Sequence, residues 1–137
     1  MYTCKTKIRV RYVETDKMGV VHHSNYYIWF EAARDEFILA AGFSYRDVEE
    51  AGIMMPLVET SCRYLVGAKY LDDVTVETSI KELSPVKVVF NYKVRRDSDN
   101  MLLARGSTMQ TFVNNNFKIV NIKKDKPELW EKLQELA

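Results

Sequence analysis

The 137-residue sequence has little of what small proteins use to crosslink themselves through disulfides or metal ions. Its two cysteines, Cys4 and Cys62, are too few for a disulfide framework and lack the paired spacing of a zinc site. We therefore expect both to be free thiols, as in proteins of a reducing compartment. His22 and His23 are the only histidines. Because adjacent side chains rarely converge on one ion, no metal site is expected.

Long apolar runs are also missing. No stretch approaches the roughly 18 uninterrupted apolar residues that a membrane-spanning helix needs. The N-terminal segment alternates charged and apolar residues and lacks the apolar core of a signal peptide. The sequence therefore predicts a cytoplasmic protein without a membrane span.

Charge of one sign is not in excess, since 20 Lys and Arg oppose 19 Asp and Glu. Both signs are scattered along the chain, so no long-range field would attract nucleic acid. Only five glycines occur, and they form neither the Gly-x-Gly-x-x-Gly fingerprint nor a P-loop. The Gly-x-Ser-x-Gly nucleophile motif is also absent. We expect no cofactor and no nucleic-acid partner.

The spacing of the apolar residues changes along the chain. Residues 7–12 alternate charged and apolar side chains, which is typical of a half-buried strand. From Ser24 or Asn25, both good helix caps, to Gly42, apolar residues recur every three or four positions and predict a long helix. This helix is apolar over most of its circumference, so other elements must surround it. Its polar groups are expected to form a solvated edge made mainly of Glu31, Arg34, Asp35 and Glu36.

Strand patterns dominate after a short predicted helix at 44–50. Alternation predicts strands at 57–65, 74–81, 86–95, 102–113 and 117–122, followed by an amphipathic helix at 125–136. This order indicates an α+β fold in which a curled antiparallel sheet of five or six strands wraps around the long central helix. No linker or repeat divides the chain, so we expect a single domain spanning 1–137.

An acidic residue, Asp16, lies in the turn between the first strand and the long helix. The N-terminus of a helix presents unpaired N–H groups and a partial positive charge, which can hold a carbonyl oxygen as it becomes an oxyanion. A carboxylate in the preceding loop can act there as nucleophile or general base. On spacing alone, an aspartate in such a turn more often bonds its own backbone. His22 and His23, taken alone, are more often polar residues at a helix start.

The residues around Asp16 resemble those of a known family. Residues 11–26 read Arg-Tyr-Val-Glu-Thr-Asp-Lys-Met-Gly-Val-Val-His-His-Ser-Asn-Tyr, followed by Phe-Glu-Ala-Ala-Arg at 30–34 and Ala-Lys-Tyr-Leu-Asp-Asp at 68–73. This pattern is similar to that of the 4-hydroxybenzoyl-CoA thioesterase-like hotdog proteins, especially the short bacterial acyl-CoA thioesterases linked to the Tol-Pal system. The resemblance implies a hotdog thioesterase domain that hydrolyses acyl-CoA, with Asp16 as catalytic carboxylate and the backbone N–H at His23 as oxyanion site.

The resemblance also implies assembly through the sheets into homodimers, often joined as homotetramers, with active sites at the subunit interface. The chain departs from family members that carry a basic cluster between the strands at Ile80 and Val88, where it can hold CoA phosphates. Lys87, Arg63 and Lys69 are candidate phosphate contacts by charge and position. A non-catalytic acyl-CoA or acyl-carrier binding module is the alternative function. A hotdog dehydratase is a weaker one, because it needs a differently placed His and acid pair.

Overall fold

The computed structural model describes residues 1–137 and contains five strands and four helices. The strands are β1 (Cys4–Arg9), β2 (Leu57–Tyr64), β3 (Asp73–Ser84), β4 (Lys87–Arg96) and β5 (Leu102–Thr111). The helices are α1 (Ser24–Ala40), α2 (Tyr45–Glu50), α3 (Ile122–Asp125) and α4 (Pro127–Leu136). The predicted α+β class is confirmed. No helix combines the length and apolar character that crossing a membrane requires.

All five strands form one antiparallel sheet in the order β1-β3-β4-β5-β2, with β1 and β2 at its edges. One face of this curled sheet packs against α1. The ring of Phe30 stacks on Tyr92 with centroids 4.1 Å apart, and Phe37 meets Phe90 edge-on at 5.3 Å. Gly106 permits this close approach, because a Cβ there would lie 2.7 Å from the Phe30 ring. These contacts fix the position of α1 on the sheet.

Two local predictions at the ends of strands are wrong. The first predicted strand extends to Tyr12, but β1 ends at Arg9, and Tyr12–Glu14 form a 3-10 turn in which Tyr12 is 76% exposed. The predicted strand at 117–122 is reduced to one bridge between Val113 and Ile119. The Asn114 side chain accepts N–H bonds from Asn116 and Lys118, at 2.9 and 3.1 Å, and so stabilises a tight turn instead.

The predicted solvated edge of α1 is wrong at Arg34. Its side chain is buried, on the same face of the helix as Phe30 and Phe37, whereas Glu31, Asp35 and Glu36 are exposed as expected. Nη1 of Arg34 donates to the hydroxyl of Tyr92 at 3.2 Å, and that hydroxyl lies 2.6 Å from Oγ1 of Thr108. The sheet therefore supplies a polar partner beneath the helix, which the helical period alone could not reveal.

Candidate active site

Asp16 lies in a small hairpin that leads into α1. Asp16 N–H donates to the carbonyl of Val20 and His22 N–H to the carbonyl of Glu14, both at 2.8 Å. Gly19 closes the turn with a φ of +81°, a conformation that glycine adopts without a steric penalty. Two antiparallel backbone bonds thus hold the segment that carries Asp16 beside the segment that begins the helix.

The Asp16 side chain is half-buried and only partly used by the turn. Its Oδ1 accepts a hydrogen bond from Met18 N–H at 2.8 Å, while Oδ2 has no protein donor. A purely structural role for this aspartate, in which it bonds the backbone of its own turn, accounts for only one of its two oxygens. The second oxygen remains available to act on a bound molecule.

The N-terminus of α1 leaves one backbone donor without a protein acceptor. Asn25 N–H donates to the carbonyl of His22 at 3.0 Å and Tyr26 N–H to that of His23 at 3.2 Å. Ser24 N–H donates to Nδ1 of His22 at 3.3 Å. His23 N–H has no such partner. This group, at the positive end of a 17-residue helix, can stabilise negative charge on an oxygen.

The predicted caps of α1 do not act as expected. Ser24 and Asn25 lie inside the first turn and His23 is the N-cap residue, with helical φ and ψ of −53° and −32°. The His22 imidazole takes over the capping task, since its Nδ1 lies 2.7 Å from Oγ of Ser24 and accepts the Ser24 N–H. The Asn25 amide instead reaches back to the Glu14 carbonyl at 2.9 Å.

Aromatic rings surround the start of α1. The Tyr64 ring meets His23 at a centroid distance of 6.3 Å and Tyr26 at 5.2 Å, and it is 45% exposed. Burial raises the pKa of the Tyr26 and Tyr64 hydroxyls. Tyr64 was not among the predicted site residues. The alternation of β2 could have placed it on the helix-facing side of the sheet.

The three predicted phosphate contacts lie in different places. Arg63 is exposed next to Tyr64, and Lys69 is exposed beside Ala68, whose carbonyl accepts Val21 N–H at 2.9 Å. Lys69 therefore borders the site. Because successive side chains of a strand point to opposite faces of the sheet, Arg63 lies on the face away from Tyr64, paired with Arg105 of β5. Lys87 starts β4 at the opposite end of the sheet and pairs with Glu82 at 3.0 Å. Within one chain the structure does not bring Lys87 to Asp16.

Sequence reasoning also missed Glu14. Its carboxylate is 2% exposed and accepts hydrogen bonds from Arg11 N–H at 2.7 Å and Trp29 Nε1 at 2.8 Å. The only signal in the sequence was its position two residues before Asp16. No group of three or more His, Cys, Asp or Glu side chains is arranged to hold a metal ion, and the two cysteines are free.

Comparison with known proteins gives consistent likenesses. Residues 10–135 match the model of the thioesterase-like superfamily. YneP of Bacillus subtilis, a candidate acyl-CoA thioesterase, is 31% identical over 100% of this chain and 99% of its own length. The structure of the DHNA-CoA thioesterase from Staphylococcus aureus is 34% identical with a TM-score of 0.93, covering 98% of this chain and 91% of that one. A 4-hydroxybenzoyl-CoA thioesterase, crystallised as an Asp-to-Asn variant with 4-hydroxybenzoyl-CoA, is 25% identical with a TM-score of 0.83, covering 94% and 99%.

Proposed function

The chain belongs to the thioesterase-like superfamily of hotdog proteins and is a thioester hydrolase, and we propose that it cleaves acyl-CoA between Asp16 and the N-terminus of α1. The observation that carries this proposal is a pair of unused groups. Oδ2 of Asp16 and the N–H of His23 have no protein partner, and they lie on the two arms of one backbone-paired hairpin.

The proposed reaction needs an electrophile and a negatively charged oxygen. A thioester carbonyl oxygen accepts the His23 N–H, which withdraws electrons from the carbonyl carbon and stabilises the oxyanion. Asp16 then attacks that carbon directly, so that the C–S bond breaks, CoA leaves as a thiolate and water later hydrolyses the mixed anhydride. In the second route, Asp16 takes a proton from water as the water oxygen attacks the same carbon. Both routes use the same two groups.

The test is release of free thiol from short, long and aromatic acyl-CoAs by the wild type and by Asp16→Asn. Asparagine keeps the oxygen that accepts Met18 N–H, so the hairpin should persist. We expect turnover to fall on the order of 10²- to 10⁴-fold, the range for loss of an essential acid–base group.

Asp47→Asn is the matched control, because the Asp47 carboxylate also accepts an exposed backbone N–H, from Ser44 at 2.9 Å, but does so at the start of α2. It should leave turnover unchanged. Wild-type rates in Asp16→Asn would end the proposal. Saturable acyl-CoA binding without thiol release from the wild type would favour the binding-module alternative.

We further propose that the thiol carrier is CoA. Lys69 borders the site and forms no ion pair, so it can bind a phosphate. Arg63 and Lys87 can contribute only if a second subunit brings them there. Lys69→Gln should raise KM for acyl-CoA and leave KM for the phosphate-free acyl-pantetheine unchanged. Equal changes for both substrates would contradict phosphate binding.

We also propose that residues 1–137 act as one thioesterase domain within a homodimer or homotetramer. The edge strand β2 supports assembly, because most of its side chains are exposed, including Leu57 and Val58 at 49% and 58%. An unpaired, partly apolar edge is a template for pairing with another strand. Sedimentation of the purified protein at several concentrations tests this part, and a monomer at all of them would contradict it.

A further inference from the structure

Glu14 connects three segments around the proposed catalytic groups without being one of them. Its Oε1 accepts Arg11 N–H at 2.7 Å, where the chain leaves β1. Its Oε2 accepts the indole N–H of Trp29 at 2.8 Å, in the second turn of α1. Both side chains of that bond are buried, with Glu14 2% and Trp29 3% exposed. The carboxylate therefore joins the hairpin to the helix from inside the protein.

The backbone of the same residue makes the complementary contacts. The Glu14 carbonyl accepts His22 N–H at 2.8 Å and the Asn25 side-chain amide at 2.9 Å. Glu14 thus contacts the returning arm of the hairpin and the first and second turns of α1. The Asp16 backbone follows two residues later, and the His23 N–H lies between His22 and Asn25.

We infer that Glu14 is a positioning residue, which fixes the distance between the Asp16 carboxylate and the His23 N–H; this inference rests on the proposed function. Such a role has a physical reason. Reacting groups must be held in a narrow range of distances, and a misplacement of about 1 Å can lower the rate about 10²-fold. Two rigid segments joined at their interior by short bonds hold that distance better than backbone pairing alone.

Burying a carboxylate only to accept one indole N–H would be unfavourable, because a charged group loses its hydration in the protein interior. Its advantage is that both donors point at acceptor-only oxygens, and charge-assisted bonds are shorter and stronger than neutral ones. Arg11 Nη2 lies 3.5 Å from Oε2 and offsets the charge from the solvent side. The ordered geometry, rather than net stability, is what this arrangement supplies.

Glu14→Gln tests the inference. Glutamine offers one acceptor and one NH₂ group, so either the Trp29 indole or Arg11 N–H must face another donor. We expect kcat on acyl-CoA to fall about 10- to 100-fold while KM stays within about 3-fold, because the acyl-CoA contacts are intact and only the reacting distance changes. Trp29→Phe removes the indole donor from the helix side and should likewise lower kcat with little change in KM.

The double variant Glu14→Gln/Trp29→Phe should be no slower than Trp29→Phe alone. With no indole donor at position 29, the glutamine oxygen can accept Arg11 N–H, so only the bond to position 29 is missing from both variants. Thr108→Val is the control for lost stability, because it removes a buried hydrogen bond to Tyr92 at 2.6 Å away from the hairpin. It should lower Tm without lowering kcat. A kcat within 3-fold of wild type in folded Glu14→Gln and Trp29→Phe, or an equal loss in Thr108→Val, would overturn the inference. Failure of the proposed function is a separate result, namely wild-type turnover in Asp16→Asn.

Discussion

Replacing His23 by proline would remove the proposed oxyanion donor together with the imidazole side chain. Proline lacks the backbone N–H and fixes φ near −65 ± 15°. His23 has a φ of −53°, so the ring fits the existing backbone. Proline is also well tolerated at the start of a helix, where the first N–H groups have no intrahelical acceptor.

The expected effect on kcat is much larger than the expected effect on stability. Loss of one oxyanion donor lowers kcat about 10²- to 10³-fold, or about 3 to 4 kcal/mol of transition-state stabilisation. Folding should change little, because the His23 N–H donates to no protein group. A proline compatible with the native backbone stabilises by roughly 0.4 to 1 kcal/mol through the unfolded state. Tm should therefore stay constant or rise slightly while turnover is nearly lost.

The assay is thiol release at substrate saturation, with Tm measured on the same preparations. His23→Ala is the matched control, because it keeps the N–H and removes the imidazole that contacts His22 and Tyr64. It should keep kcat within about 10-fold. A folded His23→Pro variant with kcat within 10-fold of wild type would refute the oxyanion role. An equal loss in both variants would assign the role to the imidazole instead.

Two further predictions concern the helix–sheet contact. Gly106→Ala places a Cβ 2.5 Å from the Ser61 carbonyl oxygen and 2.7 Å from the Phe30 ring, so it should cost about 1 to 3 kcal/mol and lower Tm by roughly 4 to 12 °C; an unchanged Tm would contradict the packing. Burial raises the pKa of Tyr92 from 10.0 to about 12, so the folded chain holds that proton longer and its stability should fall as pH rises from 10 to 12, by about 3 kcal/mol for this residue. Urea unfolding across this pH range should show a shallower decline in Tyr92→Phe, and an identical decline would contradict the shift.

Much of the site could be predicted from the sequence because its geometry depends on residues close together in the chain. The hairpin places Asp16 near the start of α1 through bonds between residues that lie close together in sequence. The predicted helix and the four strands that follow it formed where the apolar spacing indicated, because the period of the apolar residues distinguishes helices from strands. The strand predicted at 117–122 failed for a local reason as well, since Asn114 bonds the turn that replaces it.

The residues that were missed depend on contacts across the fold. Arg34 is buried because Tyr92, 58 residues away, offers a hydroxyl beneath the helix. Helical spacing counts any arginine as polar and cannot anticipate such a partner. Glu14 is similar, since its role is set by the Trp29 indole facing it from α1. If Asp16 and the His23 N–H perform the chemistry, Glu14 decides how rigidly they are held. Variants at Glu14 and Trp29 should therefore lower kcat, whereas Thr108→Val should lower Tm and leave kcat unchanged.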